Sequence, residues 1–438
     1  MKIRSVRLSE LDDETRTSLV SRSAVPDASI RSEAGRIVES IRTGGDEALR
    51  SAAAGFGGGS RRVEETEIVA AWKACPADLR IALEHAASAI RAVHQAQLPT
   101  DQSLEPHPGV RVRRRWSPLR RAGGYVPGGL AAYPSSLLMI AIPAAVAGVT
   151  SIAIATPADP HDRVPMSLLA AAHLCGVHEV YAMGGAQAIG ALAYGTETIE
   201  RVDKIVGPGN AWVTAAKLAV FGDCDIDLPA GPSESLLLVD DAADLRVVAA
   251  DMACQAEHGP DSPVVLVTNS ERIADTIEGV LASLLTGLAR RDILESSLGN
   301  HGLILLVDNW DEGIEFANAY APEHLSILTE DATALADRIT GAGSVFVGHW
   351  SPESAGDYAT GANHVLPTGG LARSSGPLAT TDFGSWRQEQ ELSRDGLQAL
   401  LGTITSLAGT EGLDAHRLAA TIRFEDPPST GVEHVPIS

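Results

Sequence analysis

The stretch QAEHGPDS, residues 255–262, offers two side chains suited to binding a metal. Gln255 and His258 stand three residues apart at the end of a helical pattern, so both side chains share one face of the helix. Gly259 and Pro260 then favour the end of that helix. Such a helix end is a reasonable half of a metal site, although a single histidine there is more often a partner of the helix dipole.

A carboxylate and an imidazole are neighbours in APEHL, residues 321–325. Glu323 and His324 follow a proline and precede a short apolar run. On a turn both side chains can reach one cleft, where they can share general-base work near neutral pH. A surface charge pair explains this motif, taken alone, equally well.

Two further segments contain candidate ligands. Residues 348–370 include many small side chains, and such a loop presents polar groups better than it packs. Asp357 and His364 are its candidate metal or substrate ligands, and EGLDAHR near the C-terminus adds Glu411 and His416. A set of Gln, His, Asp and His ligands with one position open to substrate suits zinc and similar divalent ions.

Three glycine-rich turns could bring bare backbone close to a ligand. GGYVPGG, residues 123–129, has Gly or Pro at five of its seven positions. It suits a flat or phosphorylated ligand, or an inter-domain hinge. MGGAQAI (183–189) and IVGPGNAW (205–212) each follow a predicted strand and open a helix, whose N-terminus favours pyrophosphate. Neither contains GxGxxG, so dinucleotide binding rests here on the strand–turn–helix context.

The elements around these motifs predict an α/β protein. From residue 123 onward, β-branched runs alternate with alanine-rich helical stretches, which is typical of parallel sheets covered by helices. The first hundred residues have a helical pattern. We therefore expect two open Rossmann-like parallel-sheet domains with small helical N- and C-terminal segments. The main predicted strands are Ser151–Thr156, Glu179–Met183, Lys204–Val206, Ser235–Val239, Val264–Thr268, Leu303–Val307, Leu325–Leu328 and Ser344–Val347.

The expected division of the 438 residues has four parts. Residues 1–22 form an N-terminal helical segment. Residues 23–122 and 234–378 together form the larger α/β domain, which carries most of the metal and catalytic candidates. Residues 123–233 form the Rossmann-like cofactor domain between them. The last part, from residue 379 to the end, is a C-terminal helical segment.

Composition narrows the class of protein. A formal net charge of -22 disfavours nucleic acid as a partner. The basic run Arg111–Arg121 is better interpreted as a solvated strand whose arginines hold an acidic neighbouring segment than as a nucleic-acid patch. The apolar stretch 137–149 is too short to cross a bilayer, and the charged N-terminus does not resemble a signal peptide. Four scattered cysteines fit reduced thiols, so we expect a cytoplasmic protein without a membrane anchor.

Taken together, the motifs closely resemble the histidinol dehydrogenase family. The similar strings are GGYVPGG, GGAQAI, VDKIVGPGN, LPAGPSE, QAEHGPDS, APEHL, SPESAGDYATGANHVLPT and GLDAH. They run from about residue 123 to 416 in the expected order, and several are individually distinctive. The resemblance implies oxidation of the small molecule L-histidinol through L-histidinal to L-histidine, the last step of histidine biosynthesis. It also implies two NAD reduced, one zinc ion per subunit, and a homodimer whose C-terminal parts are intertwined.

The resemblance further implies a role for each matched residue. The implied zinc ligands are Gln255, His258, Asp357 and His416, and the implied acid–base residues are Glu323 and His324. The implied NAD contacts are Tyr125, Gln187 and Asn210. Substrate contacts are implied for Ser233, His364 and Glu411, together with Gln255, His258, His324, Asp357 and His416. In the intertwined dimer, Glu411 and His416 would serve the partner's site.

Two other classes of function fit part of the pattern. A zinc hydrolase would use the same ligands with Glu323 as the base, but it would leave the two glycine-opened helices unexplained. A metabolite-binding protein would not need an adjacent glutamate and histidine. Within the dehydrogenase hypothesis, a thiohemiacetal on Cys254 is a competing route for the aldehyde step, although no basic neighbour in the sequence would lower the pKa of that thiol.

Overall fold

The computed structural model describes residues 2–128 and 132–425. The helices are α1 (Asp13–Val20), α2 (Ala28–Phe56), α3 (Glu65–Ala74), α4 (Ala77–Gln95), α5 (Pro134–Ala147), α6 (Met166–Leu174), α7 (Gly185–Tyr194), α8 (Ala211–Val220), α9 (Leu245–Ala256), α10 (Glu271–Leu285), α11 (Arg291–His301), α12 (Trp310–Tyr320), α13 (Ala332–Ala336), α14 (Glu353–Tyr358), α15 (Arg394–Thr410) and α16 (Asp414–Thr421). The strands are β1 (Arg4–Arg7), β2 (Ser60–Arg62), β3 (Gln102–His107), β4 (Val110–Pro118), β5 (Arg121–Tyr125), β6 (Ser151–Thr156), β7 (Glu179–Met183), β8 (Lys204–Val206), β9 (Asp225–Ile226), β10 (Ser235–Val239), β11 (Val264–Thr268), β12 (Gly302–Leu306), β13 (His324–Leu328), β14 (Ser344–Val347) and β15 (Gly384–Leu392).

The described residues form two compact units. The first contains residues 2–98 and 118–384, apart from residues 129–131, and the second contains residues 99–117 and 385–425. Two six-stranded sheets lie in the first unit, and a three-stranded sheet lies in the second. The predicted α/β class with parallel sheets is confirmed.

The first of the two large sheets, sheet I, has the strand order β2-β7-β6-β5-β8-β9. Strands β5 to β9 are all parallel and follow the 3-2-1-4-5 order found in dinucleotide-binding halves. Only the edge strand β2 pairs antiparallel, with β7. Because the chain leaves the neighbours β5 and β8 in opposite directions, a crevice is expected at their carboxyl ends.

The second large sheet, sheet II, has the order β1-β12-β11-β10-β13-β14, and all its strands are parallel. Strands β10 to β14 repeat the 3-2-1-4-5 order. Successive side chains of β10 enter opposite cores, with Leu237 in one and Leu236 and Leu238 in the other. Burial on both faces explains why the strands of this sheet are continuous apolar runs in the sequence.

The helices of residues 28–95 pack on sheet I, which corrects the predicted domain division. The prediction grouped residues 23–122 with 234–378, whereas α2 packs on α7 and α8, α3 on α6, and α4 on α5. Ile37 and Ile41 of α2 share one buried core with Leu192 and Val213. An amphipathic helix shows in its sequence that one face is buried, but not which sheet covers that face.

Both terminal segments also contain strands that were predicted as helix. Residues 4–7 form β1, the edge strand of sheet II, although α1 follows as a helix. Residues 384–392 form β15, which lies beside β4 in the second unit. The sequence of β15, GSWRQEQEL, is exposed and polar, so it lacks the apolar alternation by which a strand is recognised.

The arginine run lies mainly in β4, where its interpretation as a solvated strand is confirmed. Arg113 forms ion pairs with Glu389 and Glu391 of β15, all in the second unit. Arg114 stacks on the ring of Trp386. Arg121 is the exception, because it lies in β5 of the first unit, fully buried against Glu179.

Two sequence expectations concern membranes and thiols. Among the described residues, no helix combines the length and the apolar character needed to cross a membrane. All four cysteines are unpaired thiols, and Cys75 and Cys224 are buried. The expectation of reduced thiols therefore agrees with the structure.

Candidate active site

A cavity of about 440 Å³ lies in the first unit, where the two large sheets face each other. One wall comes from the loops after β5 and β8, at the carboxyl ends of sheet I. The other comes from the residues that begin β10 and β13, at the amino ends of sheet II. This volume is within the usual range for small-molecule sites. Residues that line the cavity include Ser23, Pro127, Ser136, Gly207, Asn210, Ser233, His258, Glu323, His324, Asp357 and His364.

The turn after β8 forms one wall of the cavity. Gly207 has a φ of +112°, and a Cβ there would meet the carbonyl oxygen of Tyr125 at 2.2 Å, so no larger residue fits. Asn210 caps α8 by accepting hydrogen bonds from the backbone N–H groups of Trp212 and Val213. A bare turn followed by a capped helix N-terminus is suited to a phosphate-containing cofactor. The residues here therefore fit a dinucleotide.

Two buried charges fix this turn. The Lys217 ammonium pairs with the Asp227 carboxylate and also donates to the carbonyl oxygens of Gly207 at 3.1 Å and Leu228 at 2.8 Å. The second oxygen of Asp227 accepts from the Gly207 N–H at 2.7 Å. The pair therefore holds both backbone polar groups of Gly207. Neither residue was predicted as part of the site.

Of the three predicted cofactor contacts, only Asn210 lines the cavity. The hydroxyl of Tyr125 accepts from the Gly185 N–H at 3.2 Å, and Gln187 donates to the Gly57 carbonyl at 3.2 Å. Both side chains are buried: Tyr125 contacts the first residue of α7, and Gln187 connects α7 to the residue that follows α2. Gly129, the last residue of the predicted GGYVPGG turn, lies outside the described residues.

Glu323 and His324 lie side by side at the start of β13, buried at the cavity wall. The residue two before Glu323, Ala321, ends α12 in a left-handed conformation with a φ of +50°. Glu323 accepts a hydrogen bond from the backbone N–H of Glu234 at 2.9 Å. Burial raises the pKa of Glu323 well above its usual value, and the Glu234 N–H opposes this rise.

His324 is held as a neutral imidazole. Burial lowers its pKa to about 3, with further contributions from His258 and His364. Its Nδ1 lies 3.2 Å from the side-chain oxygen of Gln255. Because that oxygen can only accept, this contact is a hydrogen bond in the tautomer with the proton on Nδ1, and that tautomer has its lone pair on Nε2. A neutral histidine with a free lone pair can act as a base.

Three side chains form a cluster beside this pair that fits a divalent cation. Ligand atoms of His258, Glu353 and Asp357 all lie within 4.8 Å of one another. Burial raises the pKa of Asp357 to about 6 and that of Glu353 well above its usual range. Among the described residues, Glu353 Oε1 and Gln255 Nε2 are buried without a hydrogen-bond partner. Buried carboxyl groups that lack a counter-charge are the donor set that a metal ion would satisfy.

Glu353 was not predicted as a site residue. It begins α14, and Asp357 follows four residues later on the same helix. The i, i+4 spacing places both carboxyl groups on one face, which is the sequence signal that could have identified it. Gln255 and His258, in contrast, lie at the end of α9 as predicted.

His364, a predicted substrate contact, lies between Ser136 and Asp357. Its Nε2 lies 3.1 Å from the Ser136 hydroxyl, and its Nδ1 lies 3.1 Å from the Asp357 carbonyl oxygen. Burial lowers the pKa of His364 to about 4. Ser233, a predicted substrate contact, lines the cavity, and its side chain opposes the rise in the pKa of Glu323. Ser136 was missed, because a serine within an apolar helix gave no functional signal.

The remaining predicted residues lie elsewhere. Glu411 follows α15 and His416 lies in α16, both exposed in the second unit, and their roles in a partner's site stay predictions. Cys254 does not line the cavity. Burial and the carboxyl groups of Glu353 and Asp357 raise the pKa of its thiol, which disfavours the covalent route.

Known proteins with this architecture identify the family. The family model described as histidinol dehydrogenase matches residues 20–424. A histidinol dehydrogenase of Halobacterium salinarum is 47% identical over 423 residues, which cover 96% of this chain and 99% of the relative. A relative with the same name from Vibrio parahaemolyticus is 42% identical and covers 97% of this chain and 99% of its own. The crystal structure of histidinol dehydrogenase from Elizabethkingia anophelis superposes with a TM-score of 0.91 at 37% identity, covering 96% of this chain and 98% of that one. This chain therefore belongs to the histidinol dehydrogenase family.

Proposed function

We propose that this protein oxidises L-histidinol through L-histidinal to L-histidine, with the reduction of two NAD, as the last step of histidine biosynthesis. The observation that carries the proposal is the meeting of three features in one cavity. A neutral His324 beside Glu323, a cluster of candidate metal ligands, and a bare glycine turn all face the same space. Membership of an oxidoreductase family supports this reaction over a zinc-dependent hydrolysis.

Zinc would be held by Gln255, His258 and Asp357, with His416 supplied by the second subunit of a homodimer. Zinc would supply a charged anchor for the imidazole and amine of the substrate and would favour the ionised forms of nearby carboxyl groups. Glu353 is close enough to compensate part of that charge, since its carboxyl lies 3.8 Å from His258.

In the first oxidation, the alcohol proton passes to Nε2 of His324 while the carbinol hydride passes to NAD. The histidine suits this role because burial keeps it neutral and Gln255 fixes its tautomer. The bond that breaks is the carbinol C–H, and its two electrons leave with the hydride. The product is the aldehyde, L-histidinal, with one NADH.

In the second oxidation, water adds to the aldehyde and the hydrate loses a second hydride. Glu323, once ionised, takes the proton of the attacking water, while His324 returns the proton from the first step to the aldehyde oxygen, which gives the hydrate. The neutral His324 then takes a hydroxyl proton of the hydrate as the second hydride leaves. The hydrogen bond from the Glu234 N–H favours the ionised form of Glu323 and orients it, and the Ser233 side chain also lowers the pKa of Glu323. The product is the carboxylate of L-histidine, with a second NADH.

The assembly and compartment belong to the same proposal. We place Glu411 and His416 in the active site of the partner subunit, with Glu411 on the substrate. Both residues are exposed in the second unit of their own chain, and side chains in that position are available to another subunit. A biosynthetic role with free NAD and reduced thiols favours the cytoplasm.

The test is NADH absorbance on mixing protein, NAD and L-histidinol, before chelator treatment, after it, and after zinc is added back. We expect two NADH per histidinol consumed, loss of turnover with chelator, and recovery with zinc. One NADH per histidinol would show that the aldehyde is the final product. No NADH from protein with zinc bound would refute the dehydrogenase proposal and favour a hydrolase.

A further inference from the structure

Glu323 is held by a neighbour that is itself tied down. The Glu234 backbone N–H donates to Glu323 Oε2 at 2.9 Å, and both residues are buried. The Glu234 side chain in turn accepts from the Gly369 N–H at 3.1 Å. The position of the Glu323 carboxylate therefore depends on how firmly Glu234 is fixed.

Arg22 connects the two chain segments that meet at Glu323. Its guanidinium pairs with the Glu234 carboxylate and also donates to the Tyr320 carbonyl oxygen. It lies over the Tyr320 ring, 3.3 Å from the ring centroid. Tyr320 is the last residue of α12, and only Ala321, with its left-handed backbone, and a proline separate it from Glu323. One side chain thus contacts both the segment that contains Glu323 and the segment that holds its carboxylate.

We propose that Arg22 and Glu234 are positioning residues that hold the Glu323 carboxylate in the orientation needed for water activation. Neither residue has a proposed role in binding the metal, the cofactor or the substrate. The Glu234 side chain is only 4% exposed, so without Arg22 its charge would be buried with no cation beside it. Without this partner the Glu234 carboxylate would move, and residues 320–323 would lose the two contacts that Arg22 makes with the carbonyl oxygen and the ring of Tyr320. This inference rests on the proposed role of Glu323.

The kinetic test uses R22M, R22K, E323Q and the double variant R22M/E323Q, with L-histidinal and NAD as substrates. We expect R22M to lower kcat by about tenfold or more with KM unchanged within about twofold, since a displaced catalytic group loses rate more than binding. R22K keeps the charge and should recover part of that loss. In the E323Q background, R22M should change kcat by less than about twofold, because residues acting as one unit are not additive. Losses that simply multiply in the double variant would overturn the proposal.

The matched control is R7M. Arg7 also lies near the N-terminus and pairs with two carboxylates, Asp308 and Glu271, but it sits on the edge strand β1 away from the cavity. This variant should keep the wild-type kcat. If R7M lowered kcat as much as R22M does, any broken ion pair near the N-terminus would have the same effect, and the proposal would fail.

Hydrogen–deuterium exchange of the same proteins gives a readout that needs no turnover. We expect faster exchange at the Glu234 and His324 amides in R22M than in the wild type, with no change in R7M. Unchanged exchange at both amides in R22M would refute the positioning role, whatever the kinetics. If the wild type instead makes no NADH, the proposed function fails, and faster exchange in R22M would still support the structural part of this inference.

Discussion

Replacing Lys217 with methionine should destabilise the protein and weaken the cofactor side of the site. The ammonium and its partner Asp227 are almost fully buried, with side chains 2% and 4% exposed. Removing one partner of a buried pair leaves an uncompensated charge and costs about 3–5 kcal/mol. The same ammonium donates to the Gly207 carbonyl at 3.1 Å, so the turn that faces the cavity should loosen.

Urea unfolding followed by circular dichroism measures this cost. With a dependence of about 3 kcal/mol per molar urea, a cost of about 3–5 kcal/mol should lower the K217M midpoint by roughly 1 to 1.7 M. The KM for NAD should rise, while the KM for L-histidinol should change little, because the Lys217 contacts are on the turn after β8. Lys73→Met is the matched control, since Lys73 is exposed on α3, and its effect should stay within about 0.5 kcal/mol.

A double variant separates charge from packing. In K217M/D227N the buried charge is gone. The asparagine oxygen can still accept from the Gly207 N–H, which donates to the Asp227 carboxylate at 2.7 Å in the wild type. The double variant should therefore recover more than half of the stability lost in K217M. A K217M cost below about 1 kcal/mol, or a double variant less stable than K217M, would refute the idea that the pair fixes this turn.

Four other predictions follow from the site and the composition. E323Q should slow the oxidation of L-histidinal by about 100-fold or more and the alcohol step by less, so equal losses in both would refute the assigned role of Glu323. H416N should lose zinc by elemental analysis together with activity, and full activity without bound metal would exclude His416 as a ligand. Burial raises the pKa of Asp357 to about 6, so its stabilising contribution in metal-free protein is present below about pH 4 and lost as pH rises through 6. Measured against D357N, the free energy of unfolding should fall by up to about 3 kcal/mol over that range, and a difference that does not change with pH would contradict this. Finally, because the net charge of -22 produces self-repulsion, added KCl should raise Tm, and a Tm that falls with salt would contradict this.

Strands that are buried on both faces were predictable from the sequence, whereas the edge strands β1 and β15 were not. The runs SLLLV and VVLVT of β10 and β11 are wholly apolar, because each face meets a core. In contrast, β1 is the four residues RSVR, and β15 is largely charged. Their pairing depends on neighbours distant in the chain, since β1 pairs with β12 about 300 residues later. Local periodicity contains no information on such pairing.

The same limit applies to the site. Gln255, His258, Glu323 and His324 were predictable because histidines and carboxylates stand next to glycine or proline in short, distinctive strings. The pair of Arg22 and Glu234 is separated by 212 residues and has no local pattern. Its members carry charges that a sequence suggests are solvated, and only the fold shows that they are buried together.

The opposite edges of the two large sheets give the cavity one wall suited to a phosphate group and another wall suited to a cation. The carboxyl edge of sheet I presents the N-terminal end of α8, where free N–H groups and the positive end of the helix dipole favour a phosphate. The amino edge of sheet II receives the C-terminal end of α9, where carbonyl oxygens and the negative end of the dipole favour a cation at His258. If both sheets offered their carboxyl edges, two helix N-termini would face the cavity and a cation there would be opposed. If NAD and zinc bind as we propose, the way the sheets face each other would separate the anionic cofactor from the metal ion and leave the space between them for the substrate.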